Sequence, residues 1–173
     1  MGPMRTSWTR LAAVVITAGL AAGCYESEVP LDPVPQAEFD AGLAGAWRCL
    51  PVDGEPDELA ATLTVARGQA ARTFDATWDE PGSAPDRYEG FASRVDGVTY
   101  LNTRERRDGG ALSAWFFVRP TLLRPNVLLI QVVDEPALAG APKSAAGLRE
   151  ALRRRRDDPT LLTGGALCAR VRR

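Results

Sequence analysis

The stretch Tyr88-Glu89-Gly90-Phe91-Ala92-Ser93-Arg94-Val95-Asp96-Gly97-Val98-Thr99-Tyr100-Leu101-Asn102-Thr103 reads as a β-hairpin. Two runs rich in β-branched and aromatic residues flank an Asp-Gly pair, which supplies the positive-φ positions of a tight two-residue turn. Upstream, Ala61-Thr62-Leu63-Thr64-Val65 and Phe74-Asp75-Ala76-Thr77-Trp78 alternate apolar and polar residues, with a break at Arg67-Gly68-Gln69 between them. Period-two alternation predicts a sheet with one dry face and one wet face. Residues 46–50 form a further predicted strand, followed by an acidic turn over 51–57. Downstream, residues 115–118 and 127–133 are more uniformly apolar and predict deeper burial, with Pro120 and Pro125 fencing the loop between them. Residues 166–171 close the series. One helix precedes this last strand: Ser144 caps its start, and Leu148, Ala151 and Leu152 fall on one face at helical spacing. The pattern therefore predicts a mainly β domain of seven or eight antiparallel strands with one late helix.

The amino end carries a different kind of information. Arg5 and Arg10 precede an apolar run over residues 11–22, which closes on Leu20-Ala21-Ala22-Gly23-Cys24. A positive start, an apolar middle and small residues at the end make a secretory signal. The run falls well short of the ~20 residues a spanning helix needs. With a cysteine directly after the small residues, the stretch resembles the lipobox of bacterial lipoproteins. That resemblance implies removal of residues 1–23, diacylglycerol on the Cys24 thiol and a fatty acid such as palmitate on the new amino group. It also implies an extracytoplasmic, membrane-anchored protein, at the periplasmic face of a Gram-negative outer membrane. Residues 24–42 then follow as the lipidated cysteine and a tether. Pro30, Pro33 and Pro35 among several acids predict extended, flexible, disordered chain there, with a short helical turn over 38–42. The domain proper occupies 43–173.

Composition narrows the function. The chain of 173 residues is 45% hydrophobic and 25% charged, enough apolar material for a real core. The first 23 residues hold two of the 21 basic side chains and none of the 22 acidic ones, so the mature chain is mildly acidic. That balance gives no reason to expect nucleic acid as a partner. There is no histidine, so neither a Ser-His-Asp nor a Cys-His arrangement exists within the chain, and imidazole zinc sites are excluded. No carboxylate pair at catalytic spacing stands out, and the expectation is a protein without catalytic residues, cofactor or metal. With Cys24 assigned to lipid, Cys49 and Cys168 remain as an even pair in an oxidising compartment, which favours a disulfide over two buried thiols.

Gly45-Ala46-Trp47 opens the first strand, and a Gly-x-Trp at that position resembles the amino-terminal signature of lipocalins and related calycin barrels. The resemblance implies a small antiparallel barrel whose tryptophan packs across the closed end against a basic residue from a late strand. Arg170 or Arg172 would take that part, as a cation over the indole face. The physics agrees, because a meander of short strands has exposed edges unless it closes on itself. An eight-stranded barrel holds either packed side chains or one small ligand.

Trp78, Tyr88, Tyr100, Trp115, Phe116 and Phe117 are the candidates for lining an apolar cavity, with Trp78, Tyr100 and Trp115 foremost. Asp53, Glu55, Asp57 and Glu58 lack the spacing and glycine of a calcium loop and read as a solvated turn. Arg153, Arg154, Arg155 and Arg156 form a candidate patch for anionic lipid or lipopolysaccharide, the alternative being a solvated helix end neutralised by Asp157 and Asp158. The functional expectation is a lipid-anchored, non-enzymatic envelope protein that binds a small apolar ligand or an envelope component. The alternative is an inhibitor of an envelope-degrading hydrolase such as lysozyme.

Overall fold

The computed structural model describes residues 25–52 and 60–172. Eight strands run in chain order around a closed antiparallel barrel: β1 (Gly45–Pro51), β2 (Ala61–Arg67), β3 (Thr73–Asp79), β4 (Asp86–Val95), β5 (Val98–Glu105), β6 (Phe116–Arg124), β7 (Val127–Val133) and β8 (Leu162–Arg170). β8 pairs back onto β1, with Cys168 opposite Cys49 and Arg170 opposite Trp47. Closure removes both sheet edges at once. The expected mainly β barrel with one late helix is what the chain builds.

The hairpin forms as its sequence dictates. Asp96 and Gly97 take φ of 48° and 81°, and Val95 pairs with Val98 across the turn. The predicted loop at Pro120 is not there, because β6 runs through it to Arg124. The reason is local: the β5–β6 ladder stops at Val118 while Pro120 pairs only with Ile130 of β7. A residue without an N–H is tolerated where one side of its strand has no partner. Pro125 does sit in the following turn.

Between β7 and β8 lie a single helical turn, α1 (Glu135–Leu138), and the helix α2 (Ala145–Arg154). The Ser144 hydroxyl accepts from the Gly147 N–H and caps α2, and Leu148 and Leu152 are its fully buried residues. Among the described residues no helix is long and apolar enough to cross a membrane.

Two apolar cores result, one on each side of the barrel wall. The inner core gathers Leu43, Trp47, Leu63, Val65, Phe74 and Leu128 with the Cys49–Cys168 pair. The outer core joins Val95, Tyr100, Phe117 and Val133 on the outward face of the wall to Leu138, Leu148, Leu152 and Leu161. Tyr25 and Leu31 from the amino-terminal segment complete it.

The expectation of a free, flexible tether does not hold for residues 25–42. The segment is extended, as its prolines require, but it is strapped to the outside of the barrel as far as Asp32, and Phe39 joins the inner core at the plugged end. The Tyr25 N–H donates to the Val133 carbonyl, and Ser27 and Trp115 exchange backbone hydrogen bonds. The Leu31 N–H donates to Asn102 Oδ1 at 2.6 Å, Asp32 pairs with Arg149 of α2 at 2.8 Å, and Phe39 stacks on Phe74. Composition hid this because three of the apolar residues among the prolines, Tyr25, Leu31 and Phe39, are almost wholly buried. The strap ends in a short 3-10 turn, Ala41–Leu43, capped by the Asp40 carboxylate, so a turn does form near residues 38–42.

Candidate functional site

The barrel is hollow. Inward residues of the strands enclose a cavity of about 510 Å³, whose apolar wall includes Leu63, Val65, Ala76, Leu101, Val118 and Ile130. This volume lies within the range of small-molecule sites, ~300–1,000 Å³.

One end is plugged. Leu43 of the 3-10 turn points into the cavity, and its carbonyl accepts the Trp47 indole N–H at 2.9 Å. Trp47 is fully buried, and the Arg170 guanidinium lies over its ring, 4.1 Å from the centroid. Arg170 also donates to the carbonyls of Gly42, Ala44 and Pro125, tying the strap, the plug and the β6–β7 turn together. Gly45 sits at φ +133°, and a Cβ there would stand 2.8 Å from Arg170 Nη1. The glycine and tryptophan of Gly45-Ala46-Trp47 thus have one shared task, which is to admit and seat this arginine. Arg172 has no part in it.

Just above the plug, Cys49 and Cys168 form a disulfide that staples the first strand to the last across 119 residues of chain. Their Cα atoms are 4.0 Å apart.

Among the described residues the other end is open. Its rim is made by the end of β1 with Val52, by the β3–β4 and β5–β6 connections, and by the start of the strap. Among the described residues the charged side chains that line the cavity are Glu26, Glu105 and Arg107, at its mouth, and Glu105 and Arg107 pair at 3.6 Å. Just outside the mouth, Glu89 bridges Arg104 and Arg106. Burial pushes the Glu89 carboxyl up, but hydrogen bonds and charge from the two arginines outweigh it and leave it below its ordinary value.

The aromatic candidates divide by strand parity. Trp78, Tyr88 and Phe116 do line the cavity, with Tyr88 and Phe116 edge to face at 5.9 Å. Tyr100, Trp115 and Phe117 do not. Tyr100 and Phe117 alternate with Leu101 and Val118, so when those point inward these point outward. Both are buried in the outer core, and burial raises the Tyr100 hydroxyl above its usual value. Trp115 packs against Phe91 at 5.5 Å and under Arg104 at 4.5 Å on the same outer side.

The arginine run is matched residue by residue. Arg153 pairs with Asp96 and Glu150, Arg154 with Glu150, Arg155 with Asp158 and Arg156 with Asp157. Asp96 comes from the β4–β5 turn, a partner that proximity in sequence does not reveal. The arrangement favours a neutralised helix end over an anionic-surface patch.

Cys24 and the acidic turn of Asp53, Glu55, Asp57 and Glu58 lie outside the described residues. Among the described residues no group of His, Cys, Asp or Glu is placed to hold a metal ion. Asn102, which no local pattern singles out, is fully buried on the outer face. Its side chain accepts from Leu31 and donates to the Phe91 carbonyl and the Ser93 hydroxyl. Comparison with protein families, with curated proteins and with solved structures finds no match to this chain.

Proposed function

We propose that this protein is a lipid-anchored, non-enzymatic binding protein of a bacterial envelope that takes a small apolar ligand into its barrel. The observation that carries the reading is the cavity of about 510 Å³, with a largely apolar wall and, among the described residues, an opening opposite the plugged end. Its charged residues sit at the mouth, where they orient a polar head group while the wall takes the apolar body. The lipobox resemblance at Leu20-Ala21-Ala22-Gly23-Cys24 supports the anchor and the extracytoplasmic, periplasm-facing location. The Cys49–Cys168 pairing suits such a compartment. The stacking of Arg170 on Trp47 and the plugged end support the resemblance to lipocalins.

The alternative, an inhibitor of a hydrolase such as lysozyme, calls for a filled barrel presenting a loop. A hollow interior favours the carrier instead. Titration of the mature protein with a fluorescent fatty acid tests the reading. One probe per chain, displaced by unlabelled fatty acid, is the expected result, and absence of binding to the folded protein overturns it.

A further inference from the structure

We propose that the open rim of the barrel rests on the membrane, so that the cavity mouth faces the lipid surface holding the Cys24 anchor. The inference deepens the proposed function and rests on its lipid anchor.

The strap carries the argument. A free chain of the length of residues 25–42 would reach about 60 Å from the bilayer and leave the barrel's orientation undetermined. Here the strap is pinned along its course, at Val133, Trp115, Asn102, Arg149 and Phe74. Its first described residue is fixed at the open end. Tyr25 is bonded to the last residue of β7 and stacked on Phe117, and Glu26 lines the cavity mouth. Consecutive Cα atoms are about 3.8 Å apart, so an anchor on Cys24 begins one peptide unit from this rim. The plug and Arg170 lie at the opposite end of the barrel.

The rim carries exposed apolar side chains, as the closed end does at Leu123 and Val171, so it is the attachment of the strap that sets the orientation. Val52 follows β1 with 52% of its surface exposed, and Leu112 in the β5–β6 connection exposes 39%. β1 and β5 lie on opposite sides of the barrel, so the two apolar side chains flank the mouth. Leu112 is bridged to Arg106 and stands close to Arg107, both exposed. An apolar side chain beside cations suits the boundary between head groups and acyl chains. Seated this way, the cavity would receive apolar molecules already dissolved in the membrane without passing them through water.

The test uses the full-length lipidated protein, reconstituted into phosphatidylethanolamine–phosphatidylglycerol vesicles whose acyl chains carry a nitroxide quencher. A fluorophore is attached through Ser83→Cys in the β3–β4 connection at the open end, or through Asn126→Cys in the β6–β7 turn at the closed end. Both positions are exposed. The expected result is quenching several-fold stronger at position 83 than at position 126. Equal quenching, or the reverse order, in protein that floats with the vesicles overturns the orientation and leaves the anchor standing. Protein that does not float overturns the anchor and the orientation with it.

Discussion

Replacing Asn102 with Ala should cost more stability than its small volume suggests. The side chain is fully buried between the barrel wall and the strap. It makes three hydrogen bonds, accepting from Leu31 at 2.6 Å and donating to Phe91 at 3.2 Å and Ser93 at 2.8 Å. Truncation strands the buried Leu31 N–H and leaves the Phe91 carbonyl and Ser93 hydroxyl without this donor. A buried group without its partner costs about 1–3 kcal/mol. Three groups lose this partner, and with some relaxation around the site the sum lies at about 3–5 kcal/mol. Ser93→Ala, which removes a single acceptor, should cost about 1 kcal/mol. Urea unfolding of the mature chain with its disulfide intact reads the totals, and hydrogen exchange at the Leu31 amide reads the mechanism. The Leu31 amide should lose protection in Asn102→Ala and keep most of it in Ser93→Ala. A loss below about 1 kcal/mol for Asn102→Ala, with the Leu31 amide still protected, would refute the strap's dependence on this residue.

Three further outcomes follow from the same geometry. Reducing the Cys49–Cys168 bridge, or changing both residues to Ala, releases a loop of 119 residues and should lower stability by about 4–5 kcal/mol on the chain-entropy argument; equal urea midpoints with and without reductant would contradict it. Arg170→Met keeps much of the side-chain bulk but loses three carbonyl partners and the cation over Trp47, so the tryptophan fluorescence of the folded protein should shift and stability should fall by about 2–4 kcal/mol. Because the Glu89 pKa is lowered in the folded state, its contribution is present above its ordinary value of 4.5 and lost as the pH falls through the folded-state value. Glu89→Gln should therefore flatten the acid limb of stability against pH, by well under 1 kcal/mol given the partial exposure of the pair; an unchanged acid limb would argue against the assignment.

The strands were legible where one wall face is wet, and the site was only half legible for a related reason. In β2 the alternation of Leu63 and Val65 with threonines separates inside from outside in the sequence itself. In β4 to β7 the strap, α1 and α2 cover much of the outer face, so apolar residues such as Tyr100 and Phe117 stand on the outside as well and the alternation is blurred. Tyr100 and Leu101, or Phe117 and Val118, then look equivalent, and only the register decides which of each pair reaches the cavity. The plug at Leu43 and the hub at Asn102 depend on contacts 71 residues apart or across the barrel's end, beyond any local pattern. Gly45-Ala46-Trp47 was readable through the resemblance it carries, which offered Arg170 or Arg172 as the partner, and the β1–β8 register selects Arg170. The arginine run stands apart for the opposite reason, since its charge is visible locally and its partner Asp96 is not.

The central claim is that the hollow barrel is the binding site, and filling it tests this most directly. Ala76 points into the middle of the cavity from β3, so Ala76→Trp places an indole where the ligand's apolar body would lie. Fatty-acid titration should show binding to the wild-type mature protein and a loss of about tenfold or more in the variant, with the two sharing the same circular dichroism spectrum. Undiminished binding in a folded Ala76→Trp protein would contradict the account.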